Sequence, residues 1–292
     1  MTFHVYDHSL PQTRTRLSSW ADMVKLHRPY SLTLSPQFSF MSDTIYVAFA
    51  TQKGGAGKST LTTLVASYLY YREGIEVAAV DCDTTQHTLK VYREHDLVVT
   101  KENAYLKKTL HKFYQEFKKR PYEILLTSPA EAISVAEDWV NKGNNPKVIF
   151  FDITGTINNV DIVKLIAQMD YVFVPISTET GDMTSSVSFA NNVLNRMVTT
   201  GKTNIKEMRL VWNKINSREK TRLCEIVDRY AATLGISSLD SVLVKSTKFE
   251  KDGHIVGQTG IFRSTMIAPD KRMLKGTNLP ELVDEIRQII NV

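Results

Sequence analysis

The chain has 292 residues, 42% hydrophobic and 23% charged, which suits one globular α/β domain with or without an appendage. No apolar run approaches the ~18 residues of a membrane-spanning helix, and no leader with a basic start and apolar middle is visible. Two cysteines, Cys82 and Cys224, with no CxxC pair, speak against a disulfide framework or zinc site, so a cytoplasmic protein is expected. The net charge of +5 favours polyanionic partners without requiring one.

Residues 1–40 carry Pro11, Pro29 and Pro36, many Ser and Thr, and little periodicity. They are expected to be a disordered or non-native extension ahead of a domain at 41–292. The alternative is an arm that uses Arg14, Arg16, Lys25 and Arg28 on a partner or on DNA.

An unbroken apolar run at 45–50 reads as a parallel strand covered on both faces. The loop that follows, TQKGGAGKST at 51–60, is the centre of the chain. Gly54, Gly55 and Gly57 flank Ala56 and let backbone N–H groups turn inward around an anion. Lys58 supplies a cation for β/γ-phosphates. Ser59 offers a hydroxyl to Mg²⁺ and opens a helix whose positive end faces the phosphates, and Thr60 adds a hydroxyl near the α-phosphate. Leu61, Leu64, Val65 and Leu69 then recur at helical spacing.

Gly74 ends that helix. A strand at 77–80 delivers Asp81 and Asp83, two carboxylates that point the same way on an extended chain. Phosphate chemistry needs acids near the loop; the plainer alternative is that both merely solvate a strand end. His87 reads as a surface or hydrogen-bonding group. Residues 101–120 read as one basic helix with Leu106, Leu110, Phe113 and Phe117 on one face, either a nucleic-acid or partner surface or a solvated lysine face.

A strand at 123–127 and a helix at 130–140 precede Lys147–Asp152, four apolar residues ending in an acid. Asp152 at that strand end would hold Mg²⁺ through water. Gly155 completes a D-x-x-G spacing that puts its N–H within reach of a γ-phosphate. Further strands are expected at 171–175, 209–214 and 241–244, with helices at 182–199 and 217–234. Asn213 ends one of these strands, where it is either a base-recognition or a turn residue. Residues 245–260 read as a long loop. At the C-terminus, Leu279, Leu282, Val283, Ile286, Ile289 and Ile290 form an apolar face opposite Glu281, Asp284 and Glu285, a core helix rather than a membrane-surface helix.

Gln52 to Thr60 fits KGGxGK[ST], and with the acids at 81, 83 and 152 it resembles the ParA/MinD family of deviant Walker A ATPases. The tail from Arg263 to Gly276 also looks like its conjugative-element branch. The resemblance implies a doubly wound, mostly parallel α/β sheet of P-loop type and ATP hydrolysis to ADP and phosphate. It implies that Lys53 reaches a partner's ATP across a nucleotide-sandwich homodimer. By the same resemblance Asp83 orients the attacking water, Asp81 lies near the metal shell and Asn213 reads the adenine edge. The implied role is DNA partition or conjugative-element maintenance on the nucleoid, with non-specific DNA and a ParB-like activator as partners and no membrane. A MinD-like positioning ATPase and a P-loop metabolic enzyme are the rivals. Thr84-Thr85 and Ile153 stand where the family often has proline. The basic set expected to meet DNA is Lys202, Lys206, Arg209, Arg218, Lys220 and Arg222, backed by Lys245, Lys248, Arg263, Lys271 and Arg272.

Overall fold

Apolar stretches bounded by polar turns become the strands β1 (Ile45–Phe49), β2 (Val77–Asp81), β3 (Ile124–Leu126), β4 (Val148–Asp152), β5 (Tyr171–Ile176), β6 (Glu207–Trp212) and β7 (Ser237–Ser238). In the computed structural model, which describes residues 44–155, 159–193, 197–199, 201–216, 222–250 and 260–292, these strands pair in parallel in the order β3-β2-β4-β1-β5-β6-β7. The helices are α1 (Lys58–Tyr71), α2 (Thr88–Glu102), α3 (Ala104–Phe117), α4 (Ala132–Asn141), α5 (Val160–Ala167), α6 (Thr180–Val193), α7 (Arg222–Thr233), α8 (Lys271–Leu274) and α9 (Leu279–Ile290).

The strand period of two sorts the side chains into two cores. Val47, Phe49, Val77, Ala79, Val148 and Phe150 face one, which α1 and α9 close with Leu61, Leu64, Leu282 and Ile286. Ala48, Ala78, Val80, Ile149 and Phe151 face the other, closed by α4 to α7 with Ala136, Ile166, Phe189 and Ala231. Every residue of β2 and β4 is buried, which is why these strands read as continuous apolar runs. This is the expected doubly wound fold. The C-terminal helix α9 is a core helix, with Leu279, Leu282, Val283 and Ile286 fully buried.

The chain runs outward from β1 to β2 and β3, returns through β4, and crosses to β5, β6 and β7 on the other side. Register sets Asp81 beside Asp152, and Asp152 beside Phe49, at the carboxyl ends of the three central strands. The crevice outside that edge, where strand order reverses, is where such sheets bind ligands.

Three expectations are corrected. The single helix at 101–120 is two helices. Asn103 stops α2, and its side chain caps α3 by accepting from the amides of Tyr105 and Leu106 at 3.0 and 3.2 Å. The run at 241–244 is not a strand: Val242 and Leu243 are buried in the cores, but only Val244 forms a bridge, to Ile215. Burial, not ladder pairing, explains its composition. The strand expected at 209–214 ends at Trp212, so Asn213 and Lys214 lie beyond it. The arm at 1–40, Arg218 and Lys220 lie outside the described residues.

A strap at 261–270 crosses α1 and α2. Ser67 Oγ donates to the carbonyl of Ser264 at 2.6 Å and Tyr71 to that of Thr265 at 2.8 Å. The buried carboxylate of Asp96 accepts from both the amide and the hydroxyl of Thr265, each at 2.6 Å.

Candidate active site

The phosphate loop is shaped by backbone rather than side chain. Gly55 and Gly57 take φ of 75° and 92°, the region that favours glycine, and Gly57 caps α1 in that conformation. A Cβ on Gly57 would also stand 2.7 Å from Asn213 Nδ2. Lys58 is the first residue of α1, and its Nζ donates to the carbonyl of Lys53 at 3.3 Å. Burial pushes the Lys58 ammonium below its ordinary range, against the pull of Asp152, Asp83 and Asp182. Ser59 and Thr60 follow, half-buried at the cavity edge.

Two residues past the end of β6 brace the loop. Asn213 Nδ2 donates to the Ala56 carbonyl at 2.9 Å, and Lys214 Nζ to the Gly55 carbonyl at 2.7 Å. Asn213, expected to read a base, therefore has its amide N–H group on the phosphate loop. From the other side Gly155 presses in. A Cβ there would lie 3.0 Å from the Gln52 carbonyl oxygen and 3.1 Å from Lys58 Nζ. A side chain at 155 would therefore press on the loop, which would have to give by a few tenths of an ångström.

The acids separate into different roles. Asp152 is 2% exposed, and neither carboxylate oxygen has a hydrogen-bond partner. Burial pushes its carboxyl up to about 7. The nearby Ser59 hydroxyl and the Lys58 ammonium offset this in part, while Asp81 and Asp83 reinforce it. Asp81, placed by resemblance near the metal shell, has both oxygens on backbone amides, of Asp83 at 3.2 Å and of Leu89 and Lys90 at 3.0 and 3.1 Å. It fastens the start of α2 to the end of β2. Asp83 Oδ1 organises the following turn, accepting from the Thr85 hydroxyl at 2.6 Å and from the amides of Thr85 and Gln86 at 3.0 Å. Burial pushes Asp83 up, but these bonds outweigh it and hold the carboxyl below the usual range.

Lys53 points to acids of its own chain. Its Nζ lies 3.2 Å from Glu179 Oε2 and 3.5 Å from Asp182 Oδ1, and the Glu179 bond raises its pKa. The other oxygen of Asp182 accepts from Ser177 Oγ at 2.5 Å. Glu179, Asp182 and Lys214 are site residues that sequence reasoning passed over. Glu179 had one signal, an acid just past a strand end beside the phosphate loop; Asp182, inside a helix, had none.

Lys58, Ser59, Asp83, Asp152, Gly155, Glu179, Asn213 and Lys214, but not Lys53, Asp81 or Asp182, line a cavity of about 860 Å³ that also takes in Thr84, Gln86, Tyr92, Thr154, Leu243 and Phe249. An amide-lined loop with a buried lysine, at the crevice of a doubly wound parallel sheet, defines a nucleotide-binding protein of the P-loop type. A family model described as the CobQ/CobB/MinD/ParA nucleotide binding domain matches residues 47–254, and the chain belongs to that family.

The fold is similar to that of an McdA–ATP complex from Cyanothece, at 11% identity over 86% of this chain and 98% of that one, TM-score 0.54. It is similar to pnob8 ParA at 14% identity over 85% and 99%, TM-score 0.53. The cell division ATPase MinD of Pyrococcus furiosus aligns at 16% identity over 84% and 99%, TM-score 0.52. A comparison with curated proteins found no match. Among the described residues no helix is long and apolar enough to cross a membrane, and no three His, Cys, Asp or Glu side chains group as metal ligands.

Proposed function

We propose that this chain binds Mg·ATP, hydrolyses it to ADP and phosphate, and dimerises when ATP is bound. The observation that carries the reading is Asp152, a carboxylate buried at a strand end with no protein partner for either oxygen, across from Lys58 and next to Ser59. A buried unpaired carboxylate is costly, and a hydrated cation held by Ser59 and Asp152 relieves that cost. The residues therefore fit Mg²⁺, which when bound would neutralise charge on the phosphates. Lys58 and the loop amides, with Gly155 beside them, neutralise charge on the transferring phosphoryl group. Asp83, kept ionised by the turn it organises, orients the attacking water. Lys53 leaves Glu179 and Asp182 to reach the partner's nucleotide.

The biological reading is DNA partition or conjugative-element maintenance. The dimer binds DNA without sequence preference on the nucleoid, and a ParB-like protein stimulates hydrolysis. The domain responsible is 41–292. A MinD-like positioning role is the second reading; α9 itself presents no apolar face to a bilayer, since Leu279, Leu282, Val283 and Ile286 are buried in the core.

Calorimetry tests the site. Lys58→Ala should abolish measurable ATP binding, and undiminished affinity in that variant would overturn the assignment.

A further inference from the structure

The strap at 261–270 brings one cation to the nucleotide cavity. Arg263 lines that cavity together with Tyr92 of α2, Phe249, and Thr60 and Leu64 of α1. Thr60 and Leu64 stand one turn apart on the same side of α1, so this part of the cavity runs down the helix from the phosphate loop. The acids that line the cavity are elsewhere: Asp83, Asp152 and Glu179 stand at or just past the carboxyl ends of β2, β4 and β5.

Backbone and side chain of Arg263 are both held. Its neighbours Phe262 and Ser264 are buried, and the Ser264 carbonyl accepts from Ser67 of α1 at 2.6 Å. Its guanidinium carbon lies 4.0 Å from the centroid of the Tyr92 ring, the closest such approach among the described residues, and Nη1 donates to Tyr92 Oη at 2.9 Å. Tyr92 in turn packs on the core cluster that holds Leu61 and Leu64. A planar guanidinium fixed by its face on a ring carries its N–H donors around the edge, a geometry suited to phosphate and hydroxyl oxygens.

We propose that Arg263 is a nucleotide-binding residue that grips the ribose and α-phosphate end of ATP, and not one of the cations that meet DNA. The proposal rests on the ATP reading. Thr60, the residue expected near the α-phosphate, shares this part of the cavity with Arg263. The other cations that line the cavity are placed for other work. Lys58 serves the β- and γ-phosphates, Lys214 is on the Gly55 carbonyl at 2.7 Å, and Lys245 is exposed, whereas Arg263 is half-buried. A half-buried guanidinium stacked on a ring inside a cavity is poorly placed for the phosphates of a duplex, which are met at the surface.

Calorimetry of the full chain with ATP and with ADP tests this. Arg263→Gln should weaken both nucleotides by the same factor, at least about tenfold, because both carry the ribose and the α-phosphate. Arg263→Lys keeps the charge but loses the fork, so it should weaken both at least about threefold, and it keeps the test open if the glutamine variant fails to fold. Tyr92→Phe keeps the ring and removes only the bond from Arg263, so it should leave both affinities nearly unchanged. Equal losses in Tyr92→Phe and Arg263→Gln, following a common fall in melting temperature, would reduce Arg263 to a clamp on the strap and overturn the proposal. Unchanged affinities in Arg263→Gln, or a loss confined to ATP, would also overturn it. So would weaker duplex binding at saturating ATP with nucleotide affinity intact, which would give Arg263 to DNA. A parent chain that binds neither nucleotide would sink the ATP reading as well; a parent that binds both, with Arg263→Gln equal to it, would sink this assignment alone.

Discussion

Gly57 meets two demands at once, a φ of 92° and a clearance of 2.7 Å to Asn213. Gly57→Ala should therefore lose about 1–2 kcal/mol to backbone strain and push Asn213 off the Ala56 carbonyl, weakening ATP binding at least about tenfold. Adding Asn213→Ala removes the clash but not the strain, so the two changes should be non-additive in a calorimetric double-mutant cycle. Strict additivity would mean that Asn213 does not position the loop. The two charged residues that differ most in setting should also differ in phenotype. Asp83→Ala should bind ATP, lose hydrolysis and accumulate as a dimer, because the proposed mechanism gives water orientation and assembly to separate groups. Lys53→Ala should keep ATP affinity yet lose hydrolysis or dimerisation. Light scattering in ATP that finds Asp83→Ala monomeric contradicts this division.

At the scale of elements, the strap is tied to α2 by the buried Asp96 and by Arg93, whose guanidinium meets the Thr265 hydroxyl at 2.9 Å and carbonyl at 3.1 Å. Burial pushes the Asp96 carboxyl up to about 6, despite the bonds from Thr265. In the unfolded chain the same group titrates near its ordinary value, about 3.9. Between those two values the folded chain holds a proton that the unfolded chain has lost. The stability from this group is therefore fully present below about pH 4 and lost as pH rises through about 6, a change of up to about 3 kcal/mol. Asp96→Asn keeps an acceptor for Thr265 and removes the titration. Urea unfolding across pH 4 to 6.5 should show a smaller fall in stability for the variant than for the parent, and equal falls would exclude Asp96 as the source.

For the whole molecule, the proposed DNA binding has to be met by a chain whose net charge is only +5. Several cations expected to face DNA have partners within the chain: Lys206 with Asp170 at 2.9 Å, Arg209 with Glu207 at 2.5 Å, and Arg272 with Asp270. Arg263 lies over the Tyr92 ring, 4.0 Å from its centroid. Affinity thus has to come from two copies presenting their remaining cations together, so it should require the ATP-bound dimer. If that dimer neutralises about five phosphates, log K should fall against log salt with a slope near −4 to −5. A salt titration on two unrelated duplexes, in ATP and in ADP, is the measurement. Equal weak binding in both nucleotides would separate the site from DNA, and a strong preference for one duplex would reject the non-specific mode.

The phosphate loop, the buried strands β1, β2 and β4, the acid ending β4 and the apolar face of α9 were legible in the sequence alone. Each is a local pattern, a spacing of glycines around a lysine or a period of two or 3.6, and needs no partner to be recognised. Which side chain a charged or polar group engages was not legible, because those partners meet only after distant elements pack. Lys53 finds Glu179 and Asp182, Asn213 and Lys214 find the carbonyls of Ala56 and Gly55, and Asp81 turns to the amides opening α2. Burial enforces the choice for Asp81 and Asn213, since a polar group taken out of water must be satisfied by whatever the fold brings within reach, whereas Lys53 and Lys214 make theirs at the surface. Asp152 is the exception that the same rule makes informative: the fold buries it and brings it no partner.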